Sequence, residues 1–150
     1  MGISAVLRFF RRTKKETLES KLADTDARLA LTKLQLAAQM VKLAGQTDDI
    51  APLKQAEQAL SSARNYYTFE TTPVEVGMVQ VALGDMLLKL GREKSDKAAI
   101  ARAKAAYRAA ITLASLHGDD SQREILRGKV KTVESLLGQH RKTQPLFRVA

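Results

Sequence analysis

The 150-residue sequence predicts an all-α fold of antiparallel helix hairpins, and three observations carry that prediction. Alanine and leucine dominate a 45% hydrophobic chain that has only 5% aromatic residues and no Trp, a mixture suited to close helix packing rather than to a sheet. Capping residues, first-turn prolines and trailing glycines alternate along the chain as helix starts and stops do. The pattern of small and apolar residues also repeats at a spacing of 46–47 residues.

Taken in order, Ile3, Val6, Leu7 and Phe10 follow the i, i+3, i+4, i+7 rule and suggest a short helix over 3–12. Thr13-Lys14-Lys15-Glu16 reads as a capping box that opens a long helix over 16–44, closed by Gly45. Gln46-Thr47-Asp48-Asp49 is a polar loop, and Pro52 marks the first turn of a helix over 52–68. Thr72-Pro73-Val74-Glu75 combines a capping box with a proline at the start of a helix over 74–90, closed by Gly91. Arg92 to Asp96 forms a second polar loop before a helix over 97–117 that stops at Gly118. Ser121-Gln122-Arg123-Glu124 opens the last helix, 121–138, which ends at Gly138. No segment shows convincing period-two alternation. Connections this short make successive helices antiparallel.

The formal net charge of +9 is concentrated at the two ends. Arg8, Arg11, Arg12, Lys14 and Lys15 have no acid among them, and neither do Arg141, Lys142 and Arg148, so the body between is nearly neutral. The division is therefore a basic amphipathic segment 1–15, a repeat domain 16–138 and a basic tail 139–150. A nucleic-acid-binding fold shows its basic face on the body, so nucleic acid is disfavoured as a partner. With no cysteine, disulfides and thiolate metal sites are excluded. No apolar run reaches the roughly 20 residues that span a bilayer. The stretch Ile3 to Phe10 is broken by Arg8 and lacks a signal cleavage site. Met-Gly-Ile-Ser-Ala-Val lacks the Ser or Thr of a myristoylation motif. The expected location is the cytoplasm, with peripheral attachment to a membrane as an option.

The repeat is specific in its residues. Leu36–Gly45 aligns with Ala82–Gly91, matching Ala38 to Gly84, Met40 to Met86 and Gly45 to Gly91. One helix later, Leu53, Ala56, Ala59, Leu60 and Ala63 meet Ile100, Ala103, Ala106, Tyr107 and Ala110. A partial third copy pairs Val133 with Met86 and Leu137 with Leu90. Val81 to Gly91 resembles the first helix of a tetratricopeptide repeat (TPR), and Ala103 to Ala110 resembles the second. Glu70-Thr71-Thr72-Pro73 resembles the linker of long-spaced bacterial arrays of that family. The likeness spans roughly 30–138. It departs from the family in its longer period, in the absence of a large aromatic near Gln80, and in Ala38 where the family prefers Gly. An ordinary helical bundle is the alternative. The resemblance implies a short α–α solenoid with flanking helices closing its ends.

Chemistry-bearing constellations are sparse. His117 and His140 stand near helix ends without a second ligand at useful spacing. Asp48-Asp49 and Asp119-Asp120 read as caps. Tyr66, Tyr67 and Phe69 read as packing against Val74 and its neighbours, with stacking on a ligand as the alternative. No phosphate loop or nucleophile elbow is present. The sequence therefore suggests no enzyme, no cofactor, no metal and no small-molecule substrate.

The resemblance implies a scaffold or adaptor that binds another protein or complex on a concave face. Superposing the repeats puts Gln35, Gln39 and Lys42 beside Val81, Asp85 and Leu88, with Thr132 and Ser135 completing the face. On that reading, charge changes at Asp85 and Leu88 remove binding and leave melting nearly intact. The second expectation is a membrane-associated assembly factor. Ile3, Val6, Leu7 and Phe10, with Arg8, Arg11 and Arg12 alongside, would attach to an anionic membrane surface or to a partner. A helix packed back on the repeats and an unstructured start are the alternatives for this segment.

Overall fold

The computed structural model describes residues 3–142 as five helices: α1 (Ile3–Thr47), α2 (Ala51–Arg64), α3 (Val74–Glu93), α4 (Lys97–Leu116) and α5 (Asp120–Lys142). No strand occurs among the described residues. α1 packs against α2 and α3 against α4, α5 covers α4, and α3 also touches α1 and α2. The fold is all-α, as the composition and punctuation predict.

The expected break at residue 13 does not form. No Gly or Pro lies between Ile3 and Ala44, and α1 runs 45 residues without interruption. Glu16, instead of reaching back to Thr13, approaches Arg12 at 3.4 Å, and Lys15 approaches Glu19 at 3.8 Å. Both are i,i+4 pairs that favour continuing the helix across the expected cap. α5 likewise continues through Gly138 to Lys142, so the basic tail begins inside a helix, and residues 143–150 lie outside the described residues.

The other boundaries are set by groups that differ from those expected. Asp119 caps α5, accepting from the amide of Gln122 at 2.9 Å, ahead of the expected Ser121. Asp96 caps α4 by accepting from Ala99 at 3.1 Å. α2 ends at Arg64, short of the expected 68, because Thr68 and Thr71 exchange side-chain and backbone bonds that close a turn. Thr72 donates to the carbonyl of Thr68 and does not cap α3, whose amides begin behind Pro73 in extended geometry. Asp48, Ser95 and Gly118 take the left-handed conformation that ends α1, α3 and α4. Asp48 and Ser95 stand 47 residues apart, so the two hairpin turns repeat as the helices do.

Gly45 and Gly91, expected as stops, lie within their helices. A Cβ on Gly45 would meet Met86 Cε at 2.7 Å, and one on Gly91 would meet Ile100 Cγ1 at 2.9 Å. They permit close approach of neighbouring helices. Gly84 is tighter, because its Cβ would lie 2.7 Å from Cε1 of the buried Tyr107 ring.

The core follows the repeat. Leu53, Ala56, Ala59, Leu60 and Ala63 of α2 are all buried, as are their counterparts Ile100, Ala103, Ala106, Tyr107 and Ala110 of α4. On α1 and α3, Leu34, Ala37, Val41 and Ala44 are buried, and so are Gln80, Leu83, Leu87 and Leu90, each 46 residues later. Leu126 and Val133 continue this series at the same spacing from Gln80 and Leu87. Burial therefore pairs Val133 with Leu87 and not with Met86, a slip of one residue in the third copy.

Gly84→Ala should destabilise the protein by about 1–3 kcal/mol, since the buried ring beneath it has nowhere to go. Gly128, also helical but with open space around it, is the control. Gly128→Ala should stabilise by up to about 1 kcal/mol. Urea melts of the two variants check both signs.

Candidate functional site

The residues expected on the concave face are divided by the structure. Gln35, Gln39 and Lys42 are exposed along one side of α1, and Thr132 and Ser135 are exposed on α5. Val81 and Leu88 are half-buried and pack against the core. With the third copy shifted by one residue, Lys131 and Glu134 take the positions on α5 that correspond to Asp85 and Leu88, in place of Thr132 and Ser135. Glu134 turns toward α4, where Lys104 lies at 2.7 Å and Arg108 at 3.5 Å. The hydrogen bond and charge of Lys104 hold the Glu134 carboxyl below its ordinary pKa.

Asp85 is the centre of a polar network that the sequence did not reveal. The Tyr107 hydroxyl, reaching from α4, donates to Asp85 Oδ1 at 2.6 Å. Lys129 of α5 pairs with the same oxygen, and its ammonium sits 5.5 Å from the centroid of the Tyr107 ring. One carboxylate thus joins three helices. Burial is the main cause that raises the pKa of Tyr107, helped by its bond to Asp85 and by the charge there, so the phenol stays protonated as a donor. These contacts argue against the expectation that Asp85→Lys with Leu88→Glu leaves melting intact. The first strips a part-buried hydroxyl of its acceptor, and the second places a charge against core side chains.

Two open depressions follow one another along α3, with Val81 of one and Asp85 of the other as their nearest lining residues. Asp85 and Leu88 share the first, about 520 Å³, with Lys89, Arg92, Glu93 and Tyr107. Val81 lines the second, about 420 Å³, where Met78, Leu113 and Leu126 make an apolar wall. Met78 and Val74 are exposed at its rim. His117 lies at the edge of this hollow, near the N-terminus of α5. Met78 carries no sequence signal beyond its type, because a methionine on a helix reads equally well as core.

The aromatic cluster also separates. Tyr67 is half-buried against the core, whereas Phe69 is 80% exposed and does not join the expected packing. Leu7, Arg8, Arg11 and Arg12 are exposed on α1, and the side chains of Ile3, Val6 and Phe10 lie outside the described residues. Among the described residues no three His, Cys, Asp or Glu gather closely enough to hold a metal. No helix among the described residues is long and apolar enough to cross a membrane.

Comparison with protein-family models, with curated proteins and with solved structures finds no match to this chain. The geometry alone therefore carries the functional reading.

The network has a consequence at high pH. A phenol whose folded-state pKa is raised keeps its proton while the unfolded chain loses it above the ordinary value of 10.0. The stability it contributes is present below that pH and is lost as pH rises through the folded-state value. Tyr107→Phe should cost about 1–2 kcal/mol at neutral pH by removing the bond to Asp85. It should also weaken the loss of stability as pH rises above the ordinary phenol value of 10.0 toward the raised folded-state value. Urea melts across that range check both effects against the parent protein.

Proposed function

We propose that this protein is a TPR-like helical scaffold that binds an extended segment of another protein along α3. One observation carries the reading: the two successive depressions along α3, the first edged by charges and the second walled by apolar side chains. An extended segment placing an apolar side chain against Met78 and Val81 would set polar groups near Arg92 and Glu93. The buried positions repeating at 46–47 residues support a stacked-hairpin arrangement. So does the lateral pair between Glu57 of α2 and Arg102 of α4, bidentate at 2.8–3.1 Å. Repeat scaffolds present such surfaces because each hairpin contacts mainly its neighbours and leaves one face open.

The binding face is tested away from the Tyr107 network. Met78 is 65% exposed, so Met78→Glu should change stability by no more than about 0.5 kcal/mol. It should nonetheless abolish capture of the partner. A photo-crosslinking residue at position 78 should trap that partner in the native cell, and one at Lys54, exposed on α2, should not. Equal trapping at both positions would rule out the α3 face.

A second reading is favoured by one observation. Leu7 is 55% exposed among the exposed Arg8, Arg11 and Arg12, and no described residue of α1 before Ala30 is buried. This segment could attach to an anionic membrane surface. Leu7→Asp should then release the chain from phosphatidylserine vesicles in a flotation assay without lowering its melting temperature.

A further inference from the structure

The N-terminal half of α1 is a long helix on which no other described helix packs. From Ile3 to Leu29 no described residue is buried, a length of about 40 Å at 1.5 Å per residue. Yet this exposed stretch carries leucines in a fixed register. Leu22, Leu29 and Leu36 recur every seven residues, and Leu18, Thr25 and Thr32 recur in the same step between them. The leucines in this set are 39–63% exposed. In heptad terms the first series occupies a and the second d, the alternation of three and four that a coiled-coil seam requires.

We propose that α1 pairs with a second copy of itself as a parallel two-stranded coiled coil over residues 15–36. This inference does not rest on the partner-binding reading.

Three features of the structure favour that occupant. The seam points away from the body. The core stripe of α1, Ala30, Leu34, Ala37, Val41 and Ala44, lies roughly 130° around the helix from the a/d line. A second α1 can therefore pack on the seam without displacing α2 or α3.

The threonines are prepared for burial. Thr25 donates its hydroxyl to the carbonyl of Lys21, and Thr32 donates to that of Arg28, both at 2.9 Å. With their donors satisfied within the helix, their methyl groups can face a partner at little cost.

Flanking charges select both the partner and the direction. Position g holds Lys14, Lys21 and Arg28, and position e holds Glu19, Asp26 and Lys33. In a parallel pair, g of one helix faces e of the other five residues on. Lys14 then meets Glu19 of the second copy and Lys21 meets its Asp26, each twice by symmetry. Only the last step, Arg28 to Lys33, is unfavourable, and it falls where the helix enters the body. An antiparallel pair would instead set g against g, where Lys14, Lys21 and Arg28 are all basic, and would lose the Lys14–Glu19 and Lys21–Asp26 pairings. Lys14, Lys21 and Asp26 make no salt bridge within the chain among the described residues, so they are free to do this. Charges at both e and g also disfavour larger bundles, which bury those positions. Arg8 and Arg11 fall at a and d and Lys15 at a, which limits the coil to its start near residue 15.

The test is the oligomeric state of the full chain by sedimentation equilibrium. The parent should run at about twice its 16.5 kDa mass. Leu22→Asp with Leu29→Asp should run as a monomer while the body melts as before, since both side chains are exposed in the single chain. Lys21→Glu should weaken self-association about tenfold, and adding Asp26→Lys should restore it. The chain lacks cysteine, so Leu22→Cys reports direction cleanly: a parallel pair closes a disulfide across the seam on mild oxidation. A monomeric parent at micromolar concentration, or a dimer that survives the double leucine change, overturns the proposal. A dimer in which Leu22→Cys fails to cross-link overturns the parallel arrangement.

Discussion

The fold depends on one close approach, that of α3 onto the ring of Tyr107. Only glycine at position 84 leaves room for it, and the ring can be buried there only because its hydroxyl finds Asp85. Lys129 then anchors α5 to the same carboxylate. Removing Asp85 leaves a part-buried donor without its acceptor, and a side chain at position 84 leaves the ring without its seat. The corresponding position in the first hairpin, Leu60, is apolar and buried, so apolar packing takes the place of the hydroxyl there. The two hairpins share a burial pattern but differ in what holds them.

Much of this architecture was legible in the sequence because burial repeats with it. The matched residues of α2 and α4 are all buried, and the spacing of Asp48 and Ser95 reproduces the turn. What failed was local. The capping boxes at Thr13 and Thr72 have the right residues, but the first lost to helix continuation through Arg12–Glu16 and the second to the Thr68–Thr71 turn. Gly45 and Gly91 looked like stops because a glycine needed for close approach and one needed for a left-handed turn are the same letter. The third copy slipped because Val130 to Gly138 offers few distinctive side chains to fix its register.

The candidate site was less legible for a physical reason. An exposed aspartate facing a groove and one that accepts from a buried tyrosine on the next helix have the same local sequence. Only tertiary packing distinguishes them, and Asp85 is the second kind. The apolar hollow at Met78 depends on α5 arriving beside α3, which no local pattern announces. The leucine stripe on α1 is the opposite case: its seven-residue spacing is plain in the chain, but its exposure could be known only once the core was found on the other side.

The order of packing along the chain also bears on how the protein folds. Helices contact mainly their immediate neighbours, so assembly requires little loop closure between distant segments, a topology associated with fast folding. α3 and α4, which meet most extensively and contain the Tyr107 seat, are suited to form a nucleus onto which α5 and then the first hairpin condense. The projecting half of α1 gains nothing from that sequence of events. Its helicity rests on local propensity and i,i+4 pairs until something else engages it, which makes it the segment whose order responds most directly to chain concentration.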